Sequence, residues 1–305
     1  MGRIAFVFSG QGDQYSGMGK KMFEEYPCAA EVFGMCDTLR PGTSEQCFNG
    51  TDEELKETAN TQPCLFAVEL AMASVLKEKG IKPSAVAGFS LGEVVACSFA
   101  GMVSHDIGFK LVCRRGELMQ HAAEKIDTSM AAVVKLSEDS VYTLCSQFDG
   151  IYPVNFNCPG QITVSGLSSL MPAFTAAVKA AGGRAIPLKV KGGFHSPFMK
   201  EASEAFAKLL ETVSFSKGNI DVYSNLTAQP YTDDIKSLLS EQICHPVRWE
   251  KTIRNMIGSG VDTFIEIGPG KTLAGFMRKI DRSVKTLNIE NMADFEKAMA
   301  ELKGE

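Results

Sequence analysis

The sequence predicts an α/β protein in which helices cover both faces of a parallel sheet and a small ferredoxin-like unit is inserted into the chain. Short apolar strands alternate with helices and are joined to them by glycine turns, which is the pattern of a parallel sheet. The middle of the chain follows the order β-α-β-β-α-β within about 60 residues, which is the pattern of a ferredoxin-like unit. We expect the large domain to comprise residues 1–127 plus 192–305 and the inserted subdomain to comprise residues 128–191.

Each element is predicted from the spacing of its apolar residues. Short continuous apolar runs predict buried strands, and apolar residues three and four apart predict helices. The large domain then contains, in order, strand Ile4–Phe8, a helix over 64–79 that stops at Gly80, strand Ala85–Phe89, helix Leu91–Ala100, a helix over 106–125, strand Thr263–Ile267 and helix Thr272–Ile280. The subdomain contains strand Met130–Leu136, helix Glu138–Phe148, strands Tyr152–Asn157 and Gln161–Ser165, helix Ser168–Ala181 and strand Arg184–Val190.

The composition is that of an ordinary soluble enzyme and argues against several classes of function. The chain has 305 residues, 45% of them hydrophobic, and its net charge of -5 argues against a general nucleic-acid surface. Nine cysteines are scattered without a CxxC pair or a histidine at metal-ligand spacing, which is typical of a reducing cytosol. No signal peptide or membrane-spanning run is visible. We therefore expect a cytoplasmic protein without a metal site and without nucleic-acid or membrane partners.

The segment Gly88-Phe89-Ser90-Leu91-Gly92 places a serine between two glycines, after a predicted strand and before a predicted helix. On a sharp strand-to-helix turn, a serine hydroxyl projects above the sheet and is placed to act as a nucleophile. The Leu91 amide then lies at a helix N-terminus, where partial positive charge stabilises an oxyanion. The alternative is a glycine-bounded turn whose serine only caps the helix. The strand before Ser90 and the helix after it favour the nucleophile.

A serine nucleophile needs a base, and the chain has four histidines. His121 lies on a predicted helix face with charged residues, His105 stands at a predicted helix start, and His245 precedes a proline. His195 lies in a glycine-rich junction where the subdomain returns to the large domain, and such junctions line clefts. We expect His195 to be the base, and a merely packed histidine is the alternative.

The predicted helix before the subdomain carries an arginine on its apolar face. Arg115 falls on the face formed by Leu111 and Met119, whereas Arg114 points away from it. A buried guanidinium needs a carboxylate or phosphate partner, which is either an internal acid or a bound substrate. If Ser90 and Arg115 share a pocket, the substrate carries both an acyl group and an anion, as a dicarboxylate half-thioester does.

Seven motifs, which follow one another along nearly the whole chain, point to one family. They are Phe8-Ser9-Gly10-Gln11-Gly12, Gly88-Phe89-Ser90-Leu91-Gly92-Glu93, Arg115-Gly116-Glu117-Leu118-Met119-Gln120, Asn155-Phe156-Asn157-Cys158-Pro159-Gly160-Gln161, Gly193-Phe194-His195-Ser196-Pro197, His245-Pro246-Val247-Arg248-Trp249 and Glu266-Ile267-Gly268-Pro269-Gly270. With them the chain resembles the malonyl-CoA:acyl carrier protein transacylases of type II fatty-acid synthesis. Seven ordered motifs are far more specific than any one of them.

This resemblance implies a hydrolase-like α/β domain with an inserted ferredoxin-like subdomain. It also implies an enzyme that moves malonyl from malonyl-CoA to the phosphopantetheine thiol of acyl carrier protein through a malonyl-serine intermediate. No cofactor is implied, because the activated thioester is itself the substrate. The implied site residues are Ser90 as nucleophile, His195 as base and later acid, the amides of Gln11 and Leu91 as oxyanion hole, Arg115 as the grip on the malonyl carboxylate, Gln62 and Asn157 as pocket residues, and the backbone carbonyl of Arg248 as acceptor for the His195 ring N–H.

Two residues depart from the pattern of this family. Phe89 stands where the family usually has histidine, and we expect only altered packing beside Ser90. Arg248 stands where the family often has glutamine. Because any residue supplies a backbone carbonyl, we expect the orientation of His195 to survive this change.

The resemblance also predicts a basic surface near the site. Acyl carrier proteins are acidic, so an acidic enzyme needs local positive charge to bind one. The candidates near motif ends are Lys189, Lys191, Arg248, Lys251, Arg254, Lys271 and Arg278. Each of them is alternatively an ordinary solvated charge.

Three alternatives stay open on the sequence. The carrier protein can belong to polyketide rather than fatty-acid synthesis. The chain can instead be a serine esterase or thioesterase, which needs an acidic partner for its histidine and no carboxylate grip. A non-catalytic interaction module would give Ser90 no reason to meet His195 and Arg115. Nothing in the sequence requires more than a monomer.

Overall fold

The computed structural model describes residues 2–303, except the side chains of Lys191 and Lys303. Its strands are β1 (Arg3–Phe8), β2 (Ala85–Gly88), β3 (Thr128–Val134), β4 (Ile151–Cys158), β5 (Gln161–Leu167), β6 (Arg184–Lys191), β7 (Asp221–Tyr223), β8 (Val261–Ile267) and β9 (Lys285–Ile289). Its helices are α1 (Lys20–Glu25), α2 (Pro27–Leu39), α3 (Thr43–Asn49), α4 (Asp52–Lys56), α5 (Thr58–Glu78), α6 (Gly92–Phe99), α7 (His105–Lys125), α8 (Glu138–Cys145), α9 (Met171–Ala180), α10 (Lys200–Glu211), α11 (Ile235–Glu241), α12 (Trp249–Gly258), α13 (Thr272–Ile280) and α14 (Met292–Lys303). Within this described part, no helix is both long enough and apolar enough to cross a membrane.

The larger sheet is parallel throughout, with the strand order β7-β2-β1-β8-β9. Side chains alternate across β1, so that Phe6 and Phe8 enter the core on one face and Ala5 and Val7 enter the core on the other. Helices α5, α6 and α7 cover the first face, and α12 and α13 cover the second. A parallel sheet buried on both faces explains why its strands read as continuous apolar runs. The predicted α/β class is confirmed.

The smaller sheet is antiparallel, with the strand order β4-β5-β3-β6. Its strands and the helices α8 and α9 follow one another between Thr128 and Lys191. Both helices pack on one face of this sheet, around Val133, Val164 and Phe174. This arrangement is the ferredoxin-like unit that the order of the elements predicted.

Several boundaries differ from the prediction. Helix α5 begins at Thr58, six residues before the predicted start at 64, and it contains Pro63. Pro63 is the sixth residue of this helix, so the Ala59 carbonyl lacks the N–H that would otherwise donate to it. Strand β2 ends at Gly88 rather than Phe89, and α6 begins at Gly92 rather than Leu91, so the intervening turn is longer than predicted.

The turn between β2 and α6 holds Ser90 at a backbone φ of 54°, in the left-handed region. Both glycines beside it are needed for close approach of backbones. A Cβ on Gly88 would lie 1.8 Å from the Gly92 carbonyl carbon, and a Cβ on Gly92 would lie 2.5 Å from the Phe8 carbonyl oxygen. The turn therefore packs against itself and against the end of β1, which places Ser90 at the carboxyl edge of the sheet.

Replacement of Gly88 by alanine should destabilise the protein by roughly 3 kcal/mol or more, because the backbone must shift to admit the methyl group. The matched control is Gly34→Ala in α2, where an added Cβ meets nothing within 4 Å. Alanine is the better helix former, so the control should leave stability unchanged or raise it by about 0.5–1 kcal/mol. Denaturant titration followed by circular dichroism measures both free energies of unfolding. Equal stabilities of the two variants would contradict this account of the turn.

Candidate active site

The Ser90 turn is held from both sides by one asparagine. The Ser90 N–H donates to Asn225 Oδ1 at 2.7 Å, and Asn225 Nδ2 donates to the Gly88 carbonyl at 2.6 Å. Asn225 is fully buried and follows β7, which pairs with β2. The strained backbone at Ser90 is therefore fixed by the neighbouring strand and does not rely on the turn alone.

His195 lies within reach of the Ser90 hydroxyl. Its Nε2 is 2.7 Å from Ser90 Oγ, and its Nδ1 is 2.7 Å from the Gln242 carbonyl oxygen. A carbonyl only accepts hydrogen bonds, so Nδ1 carries the proton and Nε2 is free to accept the serine proton. Burial, with the nearby Arg115 charge, lowers the pKa of His195 to about 4. The ring is thus neutral at physiological pH, as a general base must be.

The prediction that the Arg248 carbonyl orients the base is wrong. Arg248 precedes α12, and its carbonyl accepts the Thr252 N–H at 2.9 Å as part of the first turn of that helix. The carbonyl that contacts His195 belongs to Gln242, six residues earlier. The predicted type of contact, a backbone carbonyl on the ring N–H, is present, but the predicted residue does not supply it.

Arg115 points from α7 toward Ser90. Its Nη2 donates to Ser90 Oγ at 3.1 Å and to Gln242 Oε1 at 2.8 Å. The side chain is 1% exposed, and its Nε and Nη1 have no hydrogen-bond partner within the described part of the chain. Burial lowers the pKa of Arg115 to about 10, with Glu93 opposing this shift, so the guanidinium remains charged. Its unpaired N–H groups can hold an anionic group beside Ser90.

Three further residues belong to this arrangement and were missed by the sequence analysis. Glu93, on the first turn of α6, accepts hydrogen bonds from the Asn225 N–H, the Tyr231 hydroxyl and Gln242 Nε2. The available signal was a glutamate in the apolar run that follows Ser90, which requires a partner when buried. Tyr231 and Gln242 carried no such signal, because both lie outside the seven motifs.

Gln11 and Leu91 lie at the ends of adjacent parallel strands, as the predicted oxyanion hole requires. The Phe89 N–H donates to the Phe8 carbonyl at 2.9 Å, which joins the turn that carries Leu91 to the turn that carries Gln11. Within residues 2–303, neither the Gln11 amide nor the Leu91 amide is paired with an acceptor. Both N–H groups are therefore available to a developing oxyanion.

A buried pair anchors the turn that contains Gln11. Ser9 Oγ donates to Glu69 Oε1 at 2.5 Å, and both side chains are buried. Burial raises the pKa of Glu69 well above its usual range, and the hydrogen bond from Ser9 opposes this shift. Gly268, at a φ of 125°, lies against the pair, and a Cβ there would be 2.3 Å from Ser9 Oγ. The position of Gln11 is thus set by contacts from α5 and from the turn after β8.

Gln62 and Asn157 occupy different places. Asn157, on β4, lines a cleft of about 830 Å³ between the edge of the parallel sheet and the subdomain, and its Oδ1 has no partner within the described part of the chain. Gln62, on α5, is buried against α7, where its Nε2 donates to Met119 Sδ at 3.4 Å. Gln62 therefore faces the helix that carries Arg115 and does not line the cleft.

Phe89 forms part of the wall of this cleft together with Gln11. Its ring lies 5.5 Å from that of Trp249 in an edge-on arrangement, and a Cβ on Gly10 would be 2.9 Å from its Cδ1. Phe89 thus packs between α12 and the Gln11 turn, and His195 reaches Ser90 from elsewhere. The expectation of altered packing beside Ser90 stays a prediction.

Comparison with known proteins identifies the family. The acyl transferase domain model matches residues 5–297. The malonyl CoA-acyl carrier protein transacylase of Bacillus subtilis (strain 168) is 39% identical over 313 residues, which cover 100% of this chain and 99% of the relative. That of Staphylococcus aureus (strain COL) is 37% identical and covers 96% of this chain and 97% of the relative. The chain belongs to the malonyl-CoA:acyl carrier protein transacylase family.

Solved structures of this family have the same fold. The malonyl CoA-acyl carrier protein transacylase of Clostridium perfringens ATCC 13124 superposes with a TM-score of 0.96 at 36% identity, covering 99% of this chain and 98% of that chain. The malonyl-transacylase PlMCAT, solved in complex with the type II PKS acyl-carrier protein AntF, superposes with a TM-score of 0.94 at 32% identity, covering 98% of this chain and 99% of that chain. The resemblance drawn from the seven motifs is confirmed.

The rate of Ser90 labelling should fall on the acid side of its pH profile (the acid limb), and the pH of this fall should report the pKa of His195. Labelling of Ser90 by a neutral serine reagent, phenylmethanesulfonyl fluoride, should slow only as the pH falls through about 4, where the base becomes protonated. Arg115→Met removes the positive charge that helps to lower this pKa, so its limb should move to higher pH. The rate of label incorporation against pH, by mass spectrometry, measures both limbs, with Ser90→Ala as the unlabelled control. A limb at unchanged or lower pH in Arg115→Met would contradict the electrostatic argument.

Proposed function

We propose that this chain transfers the malonyl group from malonyl-CoA to the phosphopantetheine thiol of an acyl carrier protein through a malonyl ester of Ser90. The proposal rests on family membership and on one observation in particular. Arg115 Nη2 lies 3.1 Å from the hydroxyl of Ser90, so a cation and a nucleophile with a base share one buried site. Such a site suits a substrate that has a thioester at one end and a carboxylate at the other.

In the first half of the reaction, Ser90 Oγ attacks the thioester carbonyl of malonyl-CoA while His195 Nε2 takes the hydroxyl proton. The Gln11 and Leu91 amides receive the charge that develops on the carbonyl oxygen. The carbon–sulfur bond then breaks, and His195 returns the proton to the departing CoA sulfur. The products are malonyl-Ser90 and CoA with its thiol restored.

In the second half, the carrier thiol attacks malonyl-Ser90 and gives its proton to His195. The carbon–oxygen bond breaks, Ser90 Oγ regains the proton from His195, and malonyl leaves as the carrier thioester. Arg115 has two functions in this scheme. It binds the malonyl carboxylate, and it orients the ester for a positioned thiol, so that transfer is faster than hydrolysis by water.

A serine esterase or thioesterase is the main rival. In such an enzyme an acidic residue commonly holds the base, whereas the Nδ1 of His195 contacts a backbone carbonyl at 2.7 Å. A guanidinium beside the nucleophile also has no function in the hydrolysis of uncharged acyl groups. Both observations favour transfer of an anionic acyl group.

We propose that the carrier protein serves fatty-acid synthesis, and a polyketide carrier is the alternative. The B. subtilis and S. aureus relatives are named only for malonyl CoA and acyl carrier protein, which fits the first case. PlMCAT was solved with a type II PKS carrier, and this complex is the reason to retain a polyketide carrier as the alternative. Transfer assays with purified carriers of both kinds separate the two.

Basic residues line the cleft that Gln11 and Phe89 border, and others line a groove next to it. Lys189, Lys271 and Lys279 line the 830 Å³ cleft, and Arg248, Lys251 and Arg254 line a neighbouring groove of about 320 Å³. Arg278 is exposed on α13, and the side chain of Lys191 lies outside the described residues. We propose that this positive charge binds the acidic carrier protein and guides its phosphopantetheine arm into the cleft.

We also propose that the protein acts as a cytoplasmic monomer without a cofactor of its own. Every residue assigned a role belongs to one chain, and the thioester substrate supplies the activated acyl group. All nine cysteines are free, as a reducing compartment permits.

Intact-mass analysis tests the proposed function. Mixing with malonyl-CoA should add one malonyl group to the protein, and Ser90→Ala should gain none. Addition of acyl carrier protein bearing phosphopantetheine should remove the adduct and yield malonylated carrier. Rapid turnover to free malonate would indicate a hydrolase, and absence of both adduct and turnover would indicate an interaction module.

Arg115→Ala should lower malonyl transfer by about 100-fold or more and raise the use of acetyl-CoA relative to malonyl-CoA, because a charge-assisted pair to the substrate is lost. The matched control is Arg114→Ala, its neighbour on α7, which is exposed and paired with Glu117. That change should leave both rates within about twofold, since exposed ion pairs contribute little. Steady-state rates with the two thioesters measure the ratio. Unchanged malonyl transfer in Arg115→Ala would refute the assignment of Arg115.

A further inference from the structure

Glu93 is a buried acid that has no part in the reaction scheme above. It lies three residues after Ser90 on α6 and is fully buried. Three donors converge on its carboxylate: the Asn225 N–H at 3.0 Å, Gln242 Nε2 at 2.7 Å and the Tyr231 hydroxyl. Each of these contacts donates to it, which suits the ionised form of the acid.

The contact with Gln242 fixes the orientation of that side-chain amide. Gln242 Nε2 donates to Glu93 Oε2 at 2.7 Å and to the Ser90 carbonyl at 2.9 Å, so the donor end of the amide is fully engaged. The acceptor end, Oε1, therefore points the other way, where it receives Arg115 Nη2 at 2.8 Å. An amide turned by 180° would place Nε2 against Arg115, donor against donor, and Oε1 against two acceptors, Glu93 Oε2 and the Ser90 carbonyl.

We propose that Glu93 is a positioning residue for acyl-group selectivity, which holds the Gln242 amide so that its oxygen aligns the Arg115 guanidinium beside Ser90. This inference rests on the proposed function, since it concerns how Arg115 is presented to a substrate carboxylate. The Glu93 side chain contacts neither the Ser90 hydroxyl nor the His195 ring, and it reaches Arg115 through Gln242.

The indirect link has an electrostatic advantage. Arg115 is 1% exposed and needs a nearby negative charge, but an acid in direct contact would occupy the N–H groups that a substrate carboxylate requires. In its ionised form, Glu93 places a negative charge on the far side of the Gln242 amide and leaves Arg115 Nε and Nη1 unpaired. Burial raises the pKa of Glu93 to about 7, while its three hydrogen bonds and the Arg115 charge oppose the shift.

Glu93→Gln is the decisive variant, because it keeps the size of the side chain and removes the charge. The new amide can still accept from Asn225 and Tyr231, but its NH₂ group then faces Gln242 Nε2, donor against donor. The Gln242 amide must turn or move, and Arg115 loses its acceptor. Glu117→Gln is the control, since it exchanges the same carboxylate for an amide on the exposed face of α7, where the acid pairs with Arg114.

The experiment measures the ratio of kcat/KM for malonyl-CoA to that for acetyl-CoA in the full-length protein and its variants. Glu93→Gln should lower this ratio by about tenfold or more, the factor expected when one buried charged hydrogen-bond partner is lost. Glu117→Gln should leave the ratio within about twofold, since exposed ion pairs contribute little. Gln242→Leu removes the amide but keeps the backbone carbonyl that contacts His195. If Glu93 acts through that amide, the double variant Glu93→Gln/Gln242→Leu should have the ratio of Gln242→Leu alone.

The outcomes separate this inference from the proposed function. A wild-type protein that forms no malonyl adduct overturns the proposed function. A selective wild-type protein whose ratio is unchanged by Glu93→Gln overturns the inference alone. The inference is also overturned if the effects of Glu93→Gln and Gln242→Leu multiply in the double variant, since a merely structural glutamate would act independently of Gln242. A shared loss of ratio with no further loss in the double variant supports it.

Discussion

The site is organised around a guanidinium that has almost no contact with water. Removal of Arg115 from solvent costs free energy, and the surrounding polar groups limit that cost without cancelling the charge. One neighbour is the acceptor oxygen of Gln242, another is the Ser90 hydroxyl, and a carboxylate lies beyond the amide. Burial lowers the pKa of His195, and the same Arg115 charge lowers it further, so that the base stays neutral. Binding of an anion and activation of a nucleophile therefore depend on one buried side chain.

Backbone strain marks the two residues that exchange a proton. Ser90 and His195 have φ values of 54° and 60°, which cost each non-glycine residue about 1–3 kcal/mol. Contacts from separate parts of the chain hold both conformations: Asn225 holds the Ser90 turn, and the His195 N–H donates to the Ile243 carbonyl at 3.1 Å. The segment that contains Gln242 and Ile243 thus fixes the backbone and the ring of His195 together.

The sequence was informative where a side chain stood out against its local pattern. Ser90 lay between glycines, and Arg115 interrupted an apolar helix face, so both could be placed before the structure was known. The acceptor for His195 could not be predicted in the same way, because a backbone carbonyl leaves no trace in residue identity, and Arg248 was chosen wrongly by analogy. Glu93 was visible in a motif, but the role proposed for it depends on Gln242, which is 149 residues distant along the chain. The short strand β7 lacked the length needed to produce a detectable pattern.

The parallel sheet brings together residues that are made at very different times during synthesis. Ser90 and Gln242 are 152 positions apart, and the whole ferredoxin-like unit is translated between them. A nascent chain that has emerged only through the subdomain contains the nucleophile, but it lacks the segment that fixes both the ring and the backbone of His195. It also lacks the amide that aligns Arg115. A chain that ends before residue 242 therefore lacks the groups that hold His195 and Arg115 beside Ser90.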